Sequence, residues 1–180
     1  METKISPSKS ALQYGMFFGL IMILELIISY VFSIDATTNK SYGIVINFLN
    51  FLVLPILFIY LGCVNYRDKF NSGFISFGEC LKIGVLICVL AALIYGIFGA
   101  IFNALVPEFM EEILRKSRVV MMEQNPNMTQ EQVDMAISWT EKFMNPLISI
   151  PIAILMYAFI GLIYSLIVGA IVKKDSPQNF

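Results

Sequence analysis

The sequence predicts an all-α fold, an integral membrane four-helix transmembrane bundle with an amphipathic helical hairpin between helices 3 and 4. Two observations support this class. Hydrophobic residues make up 58% of the 180 residues and charged residues 14%, whereas soluble domains carry about a quarter charged residues. Four apolar runs are also long enough to cross a bilayer core, which takes about 20 helical residues.

The four predicted transmembrane helices cover residues 11–34, 42–64, 77–106 and 146–172. We expect helices because lipid offers no hydrogen-bond partner to open backbone groups. We also expect the first span to stay uncleaved, since its apolar run is longer than the roughly 7–15 residues of a secretory signal.

The third span has a readable start. Ser76 and Glu79 match the S-x-x-E capping box, which predicts a helix beginning after Ser76. Lys82 follows one turn later, so Glu79 and Lys82 are predicted to share a helix face as an interfacial pair. The lysine can extend to the headgroups from there. A gating or substrate role is the alternative for this pair.

Residues 107–145 are predicted to form the hairpin, which is the only sizeable extramembrane piece. Pro107 suits a helix start, Pro126 a helix stop, and Thr129 with Gln132 a second capping box. Both helices of the hairpin are predicted to carry an apolar face. On the first helix it is a stripe at helical spacing, formed by Phe109, Ile113 and Val120 with Met110, Leu114 and Met121 beside them. On the second helix it is formed by Val133, Ala136, Ile137, Thr140 and Met144.

The hairpin segment is rich in acids, and its 39 or so residues are too few for a core of their own. We therefore expect one membrane domain over residues 1–180. The hairpin either lies on the bilayer or contacts a protein partner or a second copy of the chain.

The distribution of lysine and arginine predicts the orientation. One side of a four-span topology holds Lys4, Lys9, Arg67, Lys69, Lys173 and Lys174, and the other holds Lys40, Arg115, Lys116, Arg118 and Lys142. Arg115, Lys116 and Arg118 stand well away from the predicted membrane boundary, where basic residues weigh less. The sequence therefore places both termini in the cytoplasm.

Small residues recur every fourth position along three of the spans, a spacing that lets membrane helices pack closely. These positions include Gly15, Gly19, Gly84, Ala92, Gly96, Ala100, Gly161, Ser165 and Gly169. A period of four exceeds 3.6, so the row on helix 3 is expected to wind around that helix.

Glu25 is the one carboxylate within the apolar run "IMILELIISY". Ser29 lies on the same side of the helix. Asn50 of the second span is predicted to lie at the same depth, and Asn47 one turn nearer the surface. We expect a protonated Glu25 to hydrogen-bond one of these amides, because lipid disfavours a carboxylate. Two interpretations stay open: a polar clasp that fixes helix register, or a proton or cation path.

The composition argues against several classes of function. The chain has no histidine, which removes the commonest general base and transition-metal ligand. Three scattered cysteines do not suggest a disulfide framework. A net charge of -1 argues against nucleic acid. We find no catalytic constellation and no metal or cofactor motif, so we expect a protein that is not an enzyme.

Several motifs in order resemble the domain of unknown function 4199 family. They are "LQYGMFFGL", "GFISFGECLKIG", "VPEFMEEILRKSR", "MTQEQVDMA" and "EKFMNP". The resemblance covers nearly the whole chain and implies a small multi-pass protein of a bacterial inner membrane. It implies no activity or substrate. The sequence therefore leaves a structural or interaction protein as the first hypothesis, and a small transporter or channel component using Glu25 as the alternative.

Overall fold

Helices account for nearly all of the computed structural model, which describes residues 6–34 and 39–175. The α-helices are α1 Pro7–Val31, α2 Lys40–Phe48, α3 Leu54–Asn65, α4 Phe77–Leu105, α5 Pro107–Gln124, α6 Gln130–Met144 and α7 Pro146–Val172. Two π-helical segments, Leu49–Val53 and Tyr66–Phe70, extend α3 at both ends. Lys4, which entered the orientation count, lies outside the described residues. The all-helical prediction is confirmed for the described part of the chain.

Four helices are long and apolar enough to cross a membrane: α1, the continuous helix Lys40–Phe70, α4 and α7. The bounds of α4 and α7 lie within a residue of the prediction. The first helix begins four residues earlier than predicted, because Ser6 caps it and Pro7 occupies its first turn. It ends at Val31 and not at residue 34, since Ser33 takes a left-handed φ of 52° that stops the helix.

The helix Lys40–Phe70 changes its hydrogen-bond pattern just before Pro55. Proline has no backbone N–H, so the carbonyl of Phe51, four residues earlier, lacks its usual intrahelical donor. In the segment Leu49–Val53 the pattern becomes π-helical, and the N–H of Leu54 bonds the carbonyl of Leu49. Tyr164 on α7 donates its hydroxyl to the Phe51 carbonyl over 2.9 Å. A contact between helices therefore replaces the bond that Pro55 removes.

α4 is the central helix of the bundle and packs along both α1 and α7. The core includes Phe18 of α1, Ile59 of α3, and Ile83 and Ile87 of α4, all fully buried. The outward faces of the four long helices carry large exposed apolar side chains, such as Leu155, which is 72% exposed. Apolar surface on this scale is typical of a face that contacts lipid or another protein.

The backbones of α4 and α7 touch where both helices carry small residues. A Cβ added at Gly161 would lie 2.9 Å from the carbonyl oxygen of Gly84. A Cβ at Gly84 would in turn collide with the hydroxyl of Ser165. Gly169 extends the contact, since a Cβ there would lie 3.1 Å from the ring of Phe77. The small residues of these two helices therefore permit their close approach.

α1 meets α4 in the same way. A Cβ at Gly15 would lie 2.8 Å from Leu90, and one at Gly19 would lie 3.0 Å from Ile94. Further along α4, a Cβ at Gly96 would lie 3.0 Å from a side chain of α7. Gly84 and Gly96 of the small-residue row on α4 therefore both face α7.

The hairpin consists of α5 and α6, which contact each other. Both capping boxes are present, Ser76 with Glu79 at the start of α4 and Thr129 with Gln132 at the start of α6. Arg118 on α5 pairs with Asp134 on α6 over 2.6 Å. Val133, on the apolar face predicted for α6, is buried.

Candidate functional site: the cavity around Glu25 and Asn50

Glu25 of α1 and Asn50 of the segment Leu49–Val53 meet inside the bundle. Asn50 donates from Nδ2 to Oε2 of Glu25 over 2.5 Å and to the carbonyl oxygen of Ile46 over 3.2 Å. The residue that was expected to face Glu25 at equal depth is therefore its hydrogen-bond partner. What this pair does for the protein stays a prediction.

The pair lines a cavity of about 450 Å³ between the four long helices and α5. The cavity wall is mostly apolar, and its polar side chains are those of Glu25, Ser29, Tyr42, Asn47, Asn50, Tyr95 and Tyr157. Small-molecule sites usually measure about 300–1,000 Å³. The space is therefore of a size for a small organic molecule and much larger than a single ion or water needs.

Ser29 and Asn47, the other two polar residues predicted beside Glu25, also line this cavity. Both side chains donate hydrogen bonds to backbone carbonyl groups and not to Glu25. Ser29 donates its hydroxyl to the carbonyl of Ile34 just beyond α1, and Asn47 donates from Nδ2 to the carbonyl of Gly43 over 2.8 Å. Asn50, and not Asn47, is thus the amide that bonds Glu25.

The amide oxygen of Asn50 is buried and has no hydrogen-bond partner among the described residues. The residue is 8% exposed, and both of its amide hydrogens are accounted for by Glu25 and Ile46. A buried acceptor without a donor costs on the order of 1–3 kcal/mol. The site therefore contains one unsatisfied acceptor beside a carboxyl group.

α5 closes one side of the cavity with Phe109 and Ile113. The ring of Phe109 packs edge-on against Tyr30 of α1 and Phe102 of α4, with centroid distances of 5.6 and 5.4 Å. Both residues belong to the apolar stripe that the sequence predicts for this helix. The apolar stripe of α5 therefore covers the Glu25 cavity. The stripe alone did not indicate which part of the protein it would pack against.

A smaller cavity of about 60 Å³ adjoins the main one. The two share Ser29, Phe109 and Ile113, and the small cavity is also lined by Glu112 and Lys116. Lys116 pairs with Glu112 over 2.7 Å. Charged side chains of α5 thus lie directly beyond the residues that close the cavity.

Sequence reasoning missed the tyrosines of the site. Tyr95 of α4 and Tyr157 of α7 line the cavity, and so does Tyr42 of α2. The ring of Tyr157 packs near Phe51, with centroids 5.7 Å apart. These tyrosines could have been found from the sequence, since each places a hydroxyl within an apolar run. A buried tyrosine hydroxyl usually has a polar partner, so its presence there indicates a polar site.

Glu79 and Lys82 do not line this cavity. Glu79 accepts hydrogen bonds from the backbone N–H of Ser76 over 2.8 Å and from the hydroxyl of Tyr66 over 3.1 Å. Lys82 is exposed and lines a separate open groove beside Ser6 at the start of α1. Their surroundings are those of a helix end.

Of the predicted small positions, Ala92 is the one that also lines the cavity, where it is 2% exposed. Ala100 is half-buried further along α4. Within residues 6–34 and 39–175, no group of three or more Cys, Asp or Glu side chains is arranged to hold a metal ion. The chemistry of the site therefore comes from one carboxyl, two amides and several hydroxyls.

Comparison with known proteins gives one match. The family model described as Protein of unknown function (DUF4199) matches residues 13–174. No curated protein and no solved structure matches the chain.

Proposed function

We propose a function from the structure itself, because the chain belongs to the family Protein of unknown function (DUF4199), whose description carries no activity. The protein is an integral membrane protein of the bacterial inner membrane. It crosses the bilayer four times as a single domain, with both termini in the cytoplasm and the α5–α6 hairpin outside. The observation that carries this proposal is the presence of four helices long and apolar enough to cross a membrane.

Cysteine labelling in intact cells and in inverted vesicles tests the topology. The native Cys63, Cys80 and Cys88 are fully buried, so they add little background. We expect Met128→Cys in the hairpin to react with an impermeant maleimide only from outside. Ser72→Cys, between the second and third long helices, should react only from the cytoplasmic side. The reverse pattern would overturn the orientation.

The first role that we propose is that of a structural or interaction protein. It is supported by the outward face of α6, where Met135, Trp139 and Phe143 are each more than half exposed. Lys142 lies over the ring of Trp139, with its Nζ 4.9 Å from the centroid. In this role the face contacts a protein partner or a second copy, and Glu25 with Asn50 holds helix register.

A photoreactive amino acid at position 139 tests this role in intact membranes. We expect it to crosslink to protein. The matched control is position 155, an exposed apolar site on α7, which should give lipid adducts. Lipid adducts alone at position 139 would contradict the interaction role, since α6 would then lie on the bilayer surface.

The second candidate role is that of a small transporter or channel component with Glu25 as its proton or cation site. The specific observation that favours it is the cavity lined by Glu25 and Asn50. The amide oxygen of Asn50 is buried beside this cavity without a hydrogen-bond partner among the described residues. Ionisable groups within membrane spans are rare and mark transport pathways in many proteins.

Proton flux into proteoliposomes separates the two roles. Glu25→Gln and Asn50→Ala are compared with Glu141→Gln, which changes an exposed acid of α6. Loss of a proton-coupled flux in the first two variants, with unchanged thermal stability, would contradict the purely structural role. Absence of flux in every protein, the parent chain included, would leave Glu25 and Asn50 as a structural clasp.

A further inference from the structure

We propose that the cavity between the four long helices is a binding site for a protonated organic amine with an apolar body. The inference deepens the second candidate role, on which it rests, by naming the chemical class of the ligand. It begins from the presence of one carboxyl group, that of Glu25, in the largely apolar and aromatic wall of a space of about 450 Å³.

The carboxyl group of Glu25 is the group of the site that can accept from a charged donor. Asn50 has both amide hydrogens bonded and its oxygen unpaired, and Ser29 and Asn47 direct donors to their own helix ends or turns. With a bound ammonium group as its counter-charge Glu25 would be ionised, and a carboxylate offers about four lone-pair sites, so it keeps acceptor capacity beyond the one hydrogen bond from Asn50. An ammonium group carries donors that Glu25 can accept, whereas the Asn50 oxygen is shielded from the cavity.

The charge of the site agrees with a cation. Glu25 is the only carboxylate among the cavity-lining residues of the described chain, and none of those residues is lysine or arginine. A carboxylate in apolar surroundings is disfavoured without a partner. A single positive charge beside Glu25 would supply that partner, because charge-assisted hydrogen bonds are about twice as strong as neutral ones.

The walls fit the apolar body of such a ligand. Phe51, Tyr95, Phe109 and Tyr157 line the cavity together with aliphatic side chains. Aromatic faces attract an organic cation through their quadrupole, and apolar walls bury its hydrocarbon portion. The volume suits a molecule of this kind better than a bare metal ion.

Access is expected from the α5 end. The small cavity lined by Glu112 shares Phe109 and Ile113 with the main one, so a ligand entering there passes these two side chains to reach Glu25. Lys116 lines the same small cavity and pairs with Glu112 over 2.7 Å, so the preference for a cation comes from Glu25 and not from this opening.

Calorimetric titration of the full chain in lipid nanodiscs tests the proposal. The probe is 2-phenylethylammonium, and its matched controls are 2-phenylethanol and 3-phenylpropionate, which keep the aromatic body but change the charged head. We expect saturable binding of the amine, with affinity at least about tenfold above that of either control, since the alcohol lacks the charge and the acid repels Glu25. Equal binding of the alcohol, or no saturable binding of the amine, would overturn the proposal.

Two variants locate the binding. Glu25→Gln should weaken amine binding about tenfold or more, because it removes the charged partner, while Glu141→Gln should leave it unchanged. Ala153→Leu adds side-chain volume at another lining residue of the cavity, on α7, and should also weaken amine binding. With two independent variants, a folding defect in one of them does not decide the result. Amine binding that is unaffected by both cavity variants would contradict the site.

The outcome is distinct from that of the flux experiment. Amine binding without any proton flux would support the amine site and contradict the transport role. Proton flux that depends on Glu25 without amine binding would retain the transport role and overturn the amine site.

Discussion

Tyr164 on α7 donates its hydroxyl to the carbonyl of Phe51 over 2.9 Å, and this is the carbonyl that Pro55 leaves without an intrahelical donor. We expect Tyr164→Phe to lower the free energy of unfolding by about 0.5–1.5 kcal/mol, the net contribution of a typical hydrogen bond, because a half-buried carbonyl would lose its partner. Thermal or denaturant unfolding in detergent measures the change. Tyr60→Phe, at an exposed tyrosine of α3, is the control and should be near neutral.

A second substitution tests the cause of that loss. Pro55→Ala supplies a backbone N–H to the helix, so Tyr164→Phe should cost less in a Pro55→Ala background than in the parent chain. Equal costs in both backgrounds would contradict a link between Pro55 and Tyr164. The comparison is made as a double-mutant cycle, which isolates the coupling of the two changes.

Glu25 and Asn50 should be energetically coupled. We expect a coupling free energy of about 1 kcal/mol between Glu25→Gln and Asn50→Ala, the size found for hydrogen bonds between membrane helices. The measurement is a double-mutant cycle of unfolding in detergent. Additive effects would show that the 2.5 Å contact contributes nothing net to stability, and the clasp interpretation would then fail.

Gly161 should tolerate no side chain. A Cβ there would lie 2.9 Å from the Gly84 carbonyl oxygen and 3.0 Å from Cys88 and from the Val85 Cα. Gly161→Ala should therefore destabilise the bundle by about 1–3 kcal/mol, the usual cost of overpacking.

The matched control for that change is Gly99→Ala on α4, where an added Cβ meets nothing within 4 Å. It should be neutral or stabilise slightly, since alanine exceeds glycine in helix propensity by up to about 1 kcal/mol. Similar melting temperatures for Gly161→Ala and Gly99→Ala would contradict the close contact of α4 with α7.

Thr129 should stabilise α6 locally. Its hydroxyl accepts from the N–H of Gln132, and the Gln132 side chain accepts from the N–H of Thr129. We expect Thr129→Ala to cost about 1 kcal/mol and to speed amide hydrogen exchange in α6, with little change in the long helices. Ser138→Ala, an exposed site on the same helix, is the control. Equal exchange in both variants would exclude a role for this cap.

Local and periodic features of the fold were predictable from the sequence. The starts of α4 and α6 follow from capping boxes, which need only residues three apart. The long helices follow from apolar runs, because the cost of an open backbone in lipid leaves helix as the available form. The expectation that Glu25 and Asn50 lie at one depth followed from chain direction and the fixed rise per residue, while the choice between Asn50 and Asn47 as hydrogen-bond partner stayed open.

Other features depend on contacts between distant segments, and no local pattern specifies them. The sequence showed an apolar stripe on α5, but only the tertiary structure places Phe109 over the Glu25 cavity. It showed Pro55, but not that Tyr164, more than a hundred residues later, would satisfy the freed carbonyl. The cavity, too, is the space left between five packed elements, so it exists only once their side chains have met.

The sequence by itself determined the helical class, the four apolar helices and the capped helix starts, because each depends on spacing along one chain segment. The tertiary structure decided which amide bonds Glu25, which acceptor stays unpaired and what encloses them. These depend on how the faces of distant helices pack against one another, as α1 does on α4 at Gly15 and Gly19 and α4 on α7 at Gly84 and Gly161.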